Sequence, residues 1–245
     1  MAAQLNYYNT MKDEIDSQVT KGDASGIWKT FEGYSKIVSS GVSGYSRDAQ
    51  TLEAQLHLLW YILMQGTRNT EPESLGHYHM VHTILYMREL GTISQEAVVE
   101  EVSTPGKKLW TDLPYLIDDI EIAWRQSNTN PMQTRNFVAF LAKMLAVGIE
   151  ENDLAELARE SLYGATQEEA SRLSRIDNLH IALTWFTYAS DKITTISCRS
   201  LYGMSPGGWL ALQEKLAGLA AGNDGEVAFL ALEVYLKLYE CAWRT

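Results

Sequence analysis

Apolar residues recur every three or four positions along almost the whole chain, the spacing that turns one face of an α-helix inward. Leu5, Tyr8, Met11, Ile15 and Val19 outline a first helix that ends before Gly22. Ser25 can cap a second, with Ile27, Phe31, Tyr34 and Val38 inward as far as Gly41. A third, over residues 48–65, turns Leu52, Leu56, Leu59, Trp60 and Leu63 to the core. Its second half is almost free of charge, which predicts burial on most sides. A fourth, over residues 73–90, carries Leu75, Tyr78, Val81, Leu85 and Arg88 on one face, and Ser94 can cap a short helix through Val102.

The middle of the chain reads as its spine. In the run Leu109-Trp110-Thr111-Asp112-Leu113-Pro114-Tyr115-Leu116, Thr111 or Asp112 can cap a helix whose first turn holds Pro114, where a missing N–H costs nothing. Leu116, Ile120, Ala123 and Trp124 continue the stripe. Asn130-Pro131 is a second cap and first-turn proline, and Phe137, Phe140, Leu141, Met144 and Leu145 carry that helix to Gly148. The two form a central helical hairpin. Asn152 opens the next helix, to Tyr163, and Thr166 with Glu169 makes a capping box for another. A long helix over residues 177–201, with a break expected near Asn178, leads to Ser205-Pro206, a turn at residues 222–225 and a last helix over 226–243. The expected fold is all-α: a single domain over residues 1–245, a bundle of about ten helices around the hairpin. No fixed-period repeat or Pro/Ser-rich linker breaks it up.

Composition narrows the partners. The formal charge is −11, from 31 acidic and 20 basic residues, so a phosphate backbone would be repelled and no nucleic-acid partner is expected. Stretches without Asp, Glu, Lys or Arg, such as residues 54–67 and 178–190, fall short of the roughly 20 apolar residues a membrane span needs. Residues 1–14 show no basic-then-apolar secretion pattern, and the reading is a cytoplasmic protein. Cys198 and Cys241 read as reduced core thiols, with one disulfide left open.

Three patterns bear on chemistry. His79 and His82, three apart, share a helix face that could chelate a metal, but no carboxylate stands four residues from either, and His77 points elsewhere. Asp118-Asp119-Ile120-Glu121, followed by Asn152, Glu156 and Glu160 at helical spacing, resembles the two magnesium-binding motifs of class I terpene cyclases. Ile122 stands where the first motif has its last acid, and Glu156 replaces a hydroxyl residue. The plainer reading is two solvated helix faces with acids near their N-termini. Gly203-Met204-Ser205-Pro206-Gly207 has the serine-hydrolase spacing, but a helix leads in where that motif needs a strand. Glycine-rich nucleotide loops, Cys-x-x-Cys and His-Glu-x-x-His are absent, and no cofactor is expected.

What remains is seven Trp and thirteen Tyr. Most of these rings must be core, yet their polar tips seek partners when buried, so a cluster of them can line a cavity between helices. The candidate pocket residues are His57, Trp60, His82, Tyr86, Trp110, Asp112, Trp124, His180, Trp185 and Tyr188, with Asp191 and Lys192 near the mouth.

The segments Leu109-Trp110-Thr111-Asp112-Leu113-Pro114 and Asn136-Phe137-Val138-Ala139-Phe140-Leu141-Ala142-Lys143, with Trp124 between them, resemble a fungal all-helical family catalogued as a domain of unknown function. Leu179 to Ile193 and Gly207-Gly208-Trp209 also fit its pattern, and the likeness spans about residues 48–243. Leu116-Ile117-Asp118 departs from the glycine-containing continuation of that family. The resemblance implies a single helical domain of fungal origin and brings no catalytic residues with it. Because such proteins occur among natural-product pathways, it directs the functional expectation to a cofactor-free cyclase, isomerase or pericyclase acting on a hydrophobic intermediate. The alternatives are a non-catalytic helical interaction module, a homodimer being left open, and a magnesium-dependent terpene-cyclase-like enzyme.

Overall fold

The computed structural model describes residues 2–42, 49–93, 110–126, 130–167, 169–199 and 206–242, and among them every regular element is a helix. In chain order these are α1 (Ala2–Thr20), α2 (Ala24–Val42), α3 (Ala49–Arg68), α4 (Leu75–Ile93), α5 (Leu116–Gln126), α6 (Pro131–Ala146), α7 (Glu151–Ala165), α8 (Arg172–Arg199), α9 (Pro206–Ala220) and α10 (Gly225–Ala242). They group into two compact units, Met1–Asn136 and Phe137–Thr245. The short helix expected after Ser94, the head of the Trp110 run at Leu109, the cap at Ser205 and the side chains of Cys198 and Cys241 lie outside the described residues.

In the first unit α3 packs against α1, α2, α4 and α5. Leu56, Leu58, Leu59, Trp60, Ile62 and Leu63 are all buried, so α3 is enclosed on most sides, as its charge-free sequence requires. Each such side chain contributes roughly 1.5–3 kcal/mol of transfer free energy. α2 begins one residue before Ser25, and its cap is Asp23, whose Oδ1 accepts the Gly26 N–H at 2.8 Å. On α4 the inward face is His77, Met80, Val81, Ile84 and Met87, while Leu75 and Tyr78 of the expected stripe are exposed. The anchor is His77, fully buried, whose Nε2–H donates to the Asn136 carbonyl at 3.0 Å and fixes the rotation of the helix.

The spine differs from the expectation at its start. α5 begins at Leu116, so Pro114 lies in the turn before the helix rather than in its first turn. Leu113 (φ 43°) and Tyr115 (φ 65°) flank that proline in the left-handed region, which costs roughly 1–2 kcal/mol for each non-glycine residue. The turn is held by Trp60, whose buried Nε1–H donates to the Pro114 carbonyl at 2.8 Å. The second start is as read: α6 opens at Pro131, and Asn130 Oδ1 accepts the N–H groups of Met132 and Gln133 at 3.1 and 3.3 Å.

In the second unit α8 packs against α7 and α10, and α10 against α9. Thr166 closes α7 instead of opening the next helix: its hydroxyl donates back to the Tyr163 carbonyl at 3.1 Å. Ser171 caps α8, accepting the Ser174 N–H at 3.2 Å. α7 starts after Glu150 (φ 46°) without a side-chain cap, so Asn152 lies inside the helix. The long helix breaks at Ala189 (φ −131°, ψ 16°), not near Asn178, whose side-chain amide instead donates to the Gly164 carbonyl at 3.2 Å.

Candidate functional site

Within the first unit, a cleft of about 950 Å³ opens between α2 and α4. That volume is at the upper end of the range that holds small organic molecules. The helix period makes it. With Ile27, Phe31, Tyr34 and Val38 turned to the core, Trp28, Glu32 and Ser35 flank them along the cleft. On α4, burial of His77, Met80 and Ile84 leaves Tyr78, His79, His82 and Tyr86 on the facing side, with Met87 deeper. The surface they present is mostly apolar, ringed by aromatic and imidazole tips.

Four polar side chains of the cleft are tied within their own helices. The Ser35 hydroxyl donates to the Glu32 carbonyl at 2.8 Å, Thr83 Oγ1 to the His79 carbonyl at 2.9 Å, and Lys36 Nζ to Glu32 Oε1 at 2.8 Å. Trp28 differs from these four. Its ring meets His79 edge-on, 5.3 Å between centroids and 71° between planes, and its Nε1–H is buried without an acceptor. A donor left so costs about 1–3 kcal/mol. The buried indoles of Trp60 and Trp185 both have acceptors, Pro114 O at 2.8 Å and Ser161 Oγ at 3.2 Å.

A second titratable group lies on α1, α3 and α5. His57 Nδ1–H donates to both Asp119 carboxylate oxygens, at 3.0 and 2.8 Å, and its ring lies 4.7 Å from that of Tyr115. The bond to Asp119 raises the His57 pKa against the opposing effect of burial. It also fixes which nitrogen is anchored, leaving Nε2, 3.9 Å from Glu53 Oε1, as the nitrogen that exchanges a proton. Beside it, burial pushes the Tyr8 and Tyr61 hydroxyls up, Tyr61 also by its bond to Asp16, and Lys12 Nζ sits 4.3 Å above the Tyr61 ring. This group ties three helices together and contains one acid–base imidazole.

The candidates read from the sequence fall in several places. His82 and Tyr86 line the cleft. His57 and Trp60 stand around the Pro114 turn, in which Trp110 is buried and Asp112 exposed, and Trp124 is half-buried on α5. His180, Trp185 and Tyr188 belong to α8 in the second unit, where Tyr188 lies under Lys143 Nζ at 4.7 Å and Lys192 pairs with Glu151. Asp191 is exposed. Of the acids, Asp118 and Asp119 are on α5, and Asn152, Glu156 and Glu160 on α7. Asp119 holds His57, and Glu156 is clasped by the Arg159 guanidinium. Among the described residues, no group of three or more His, Cys, Asp or Glu side chains is placed to hold a metal ion. Trp28 and His79 complete the cleft. In the sequence His79 stands out only by its metal-type spacing, and Trp28 by nothing, since it flanks the apolar stripe of its helix.

Residues 60–221 match the model of a family described as protein of unknown function (DUF3632). A curated relative, oxopyrrolidines biosynthesis cluster protein G of Penicillium oxalicum, is 24% identical over 161 residues, covering 63% of this chain and 45% of that protein. The chain thus spans about half the length of the curated relative it matches. No solved structure matches it significantly. Among the described residues, no helix is long and apolar enough to cross a membrane.

Proposed function

We propose, from the premise that the chain belongs to the DUF3632 family, that it binds a hydrophobic small molecule of fungal natural-product biosynthesis in the α2–α4 cleft. The observation that carries the reading is the cleft itself: about 950 Å³, mostly apolar walls, and a rim of Trp28, His79, His82 and Tyr86. The relative named for an oxopyrrolidines biosynthesis cluster supports the metabolic setting. The finer reading is a cofactor-free cyclase, isomerase or pericyclase. Fixing a flexible chain against rigid rings in a reactive geometry removes entropy from the barrier, up to roughly 7–11 kcal/mol in the best-oriented cases.

Nile red titration tests the binding step. The protein should give saturable, blue-shifted emission, and Thr83→Trp, which sets a bulky ring in the cleft, should weaken it at least tenfold. Linear, non-saturable emission, or equal affinity in that variant, refutes the reading. Deleting the gene in its host tests the pathway step: a hydrophobic precursor should accumulate, and an unchanged metabolite profile counts against it.

One feature favours an interaction module as a second reading. Phe229, Leu232, Leu236 and Tyr239 are exposed at steps of three, four and three residues on α10, the spacing of a helix-pairing seam. Light scattering across a hundredfold dilution checks it: a concentration-dependent dimer that Leu236→Lys abolishes supports this reading, and a monomer throughout removes the homodimer.

A further inference from the structure

The Trp28 indole indicates what the ligand carries. Resting on the cleft reading above, we infer that the occupant is a neutral apolar molecule with a carbonyl oxygen, which accepts the Trp28 Nε1–H when the His79 ring swings aside. Three observations lead there. The Trp28 N–H is a buried donor with no acceptor, on a residue that lines the cleft, whereas Trp60 and Trp185 have theirs. His79, the ring set edge-on against the indole, is itself exposed, so a change of rotamer carries it off into solvent. Glu32 and Lys36, the oppositely charged pair on the cleft, neutralise each other, which favours a dipolar acceptor over a carboxylate. An indole N–H donates only, so the group that meets it must be an acceptor. Mostly apolar walls around that buried donor then favour a hydrocarbon frame bearing a ketone, lactam or ester oxygen.

Two probes of equal shape separate this from simple hydrophobic binding: 2-acetylnaphthalene and 2-isopropenylnaphthalene, which has CH2 in place of the oxygen. The full chain, with its tryptophans labelled at the indole nitrogen, is titrated with each, and Trp28→Phe assigns the Trp28 resonance. The ketone should bind about tenfold more tightly than the alkene, and the Trp28 N–H proton should move downfield with the ketone alone. In Trp28→Phe the ratio of the two affinities should fall to about one, whatever the smaller ring does to the binding of both probes. Equal binding of the two probes, or a Trp28 resonance that stays put at saturating ketone, overturns the inference and leaves the cleft reading standing. Tighter binding of 2-naphthoate than of the ketone overturns the neutral acceptor. If neither naphthalene binds, the cleft reading falls and the inference with it.

Discussion

Trp60→Phe should destabilise the protein by about 2–4 kcal/mol, from two losses that can be worked out separately. Trp60 is fully buried on α3, and its Nε1–H donates to the Pro114 carbonyl at 2.8 Å. Phenylalanine has no N–H, so a buried carbonyl is left without its donor, at about 1–3 kcal/mol. The smaller ring also leaves about 40 Å³ empty, worth about 1 kcal/mol at roughly 24 cal/mol per Å³. Leu113 and Tyr115, at φ 43° and 65°, lose the bond that holds their turn. The assay is thermal unfolding followed by circular dichroism, where such a loss lowers the midpoint by roughly 4–16 °C for a chain of this size. Incorporating benzothienylalanine at position 60 keeps the volume and removes only the donor, so it should show the hydrogen-bond share alone. A midpoint within 2 °C of wild type for Trp60→Phe would refute the reasoning, because it would mean that the Pro114 turn stands without the indole.

Two further outcomes are expected. The His57 pKa is raised in the folded chain, so the His57–Asp119 bond stabilises fully below the unfolded value of about 6.5 and is lost as pH rises through the folded value. NMR titration should place His57 above 6.5, Asp119→Asn should bring it back, and a variant that keeps the raised value contradicts the assignment. Asn130→Ala removes the acceptor for the Met132 and Gln133 N–H groups and should cost about 1 kcal/mol in urea unfolding, whereas Asn130→Ser should stay near wild type.

What could be read from the residues, and what could not, follows from the range of the forces involved. Helix periodicity is local, and the ten described helices follow it; Asn130-Pro131 is a local signal too, and α6 starts there. The Trp110 run misled because Pro114 suits a helix's first turn, whereas the start is set by a bond to Trp60, more than fifty residues away in sequence. α4 misled for a similar reason. It carries apolar residues on several faces, and the His77 bond to Asn136 decides which is buried. Thr166 and Glu169 have the spacing of a box, but Ser171 lies closer to the first turn of α8 and takes the cap. Of the pocket candidates read from the sequence, His82 and Tyr86 line the proposed cleft. Trp28 is not among them, because an unanswered N–H is a property of what surrounds it and leaves no trace in spacing.

The break at Ala189 has a consequence for size. A straight helix of 28 residues is a rod about 42 Å long, whereas a compact unit of about a hundred residues is roughly 30 Å across. Unbroken, α8 would extend past its neighbours and leave a turn or two of backbone with nothing to lean on. Divided at one alanine, it becomes two lengths of about 25 and 15 Å, each short enough to keep a neighbour alongside.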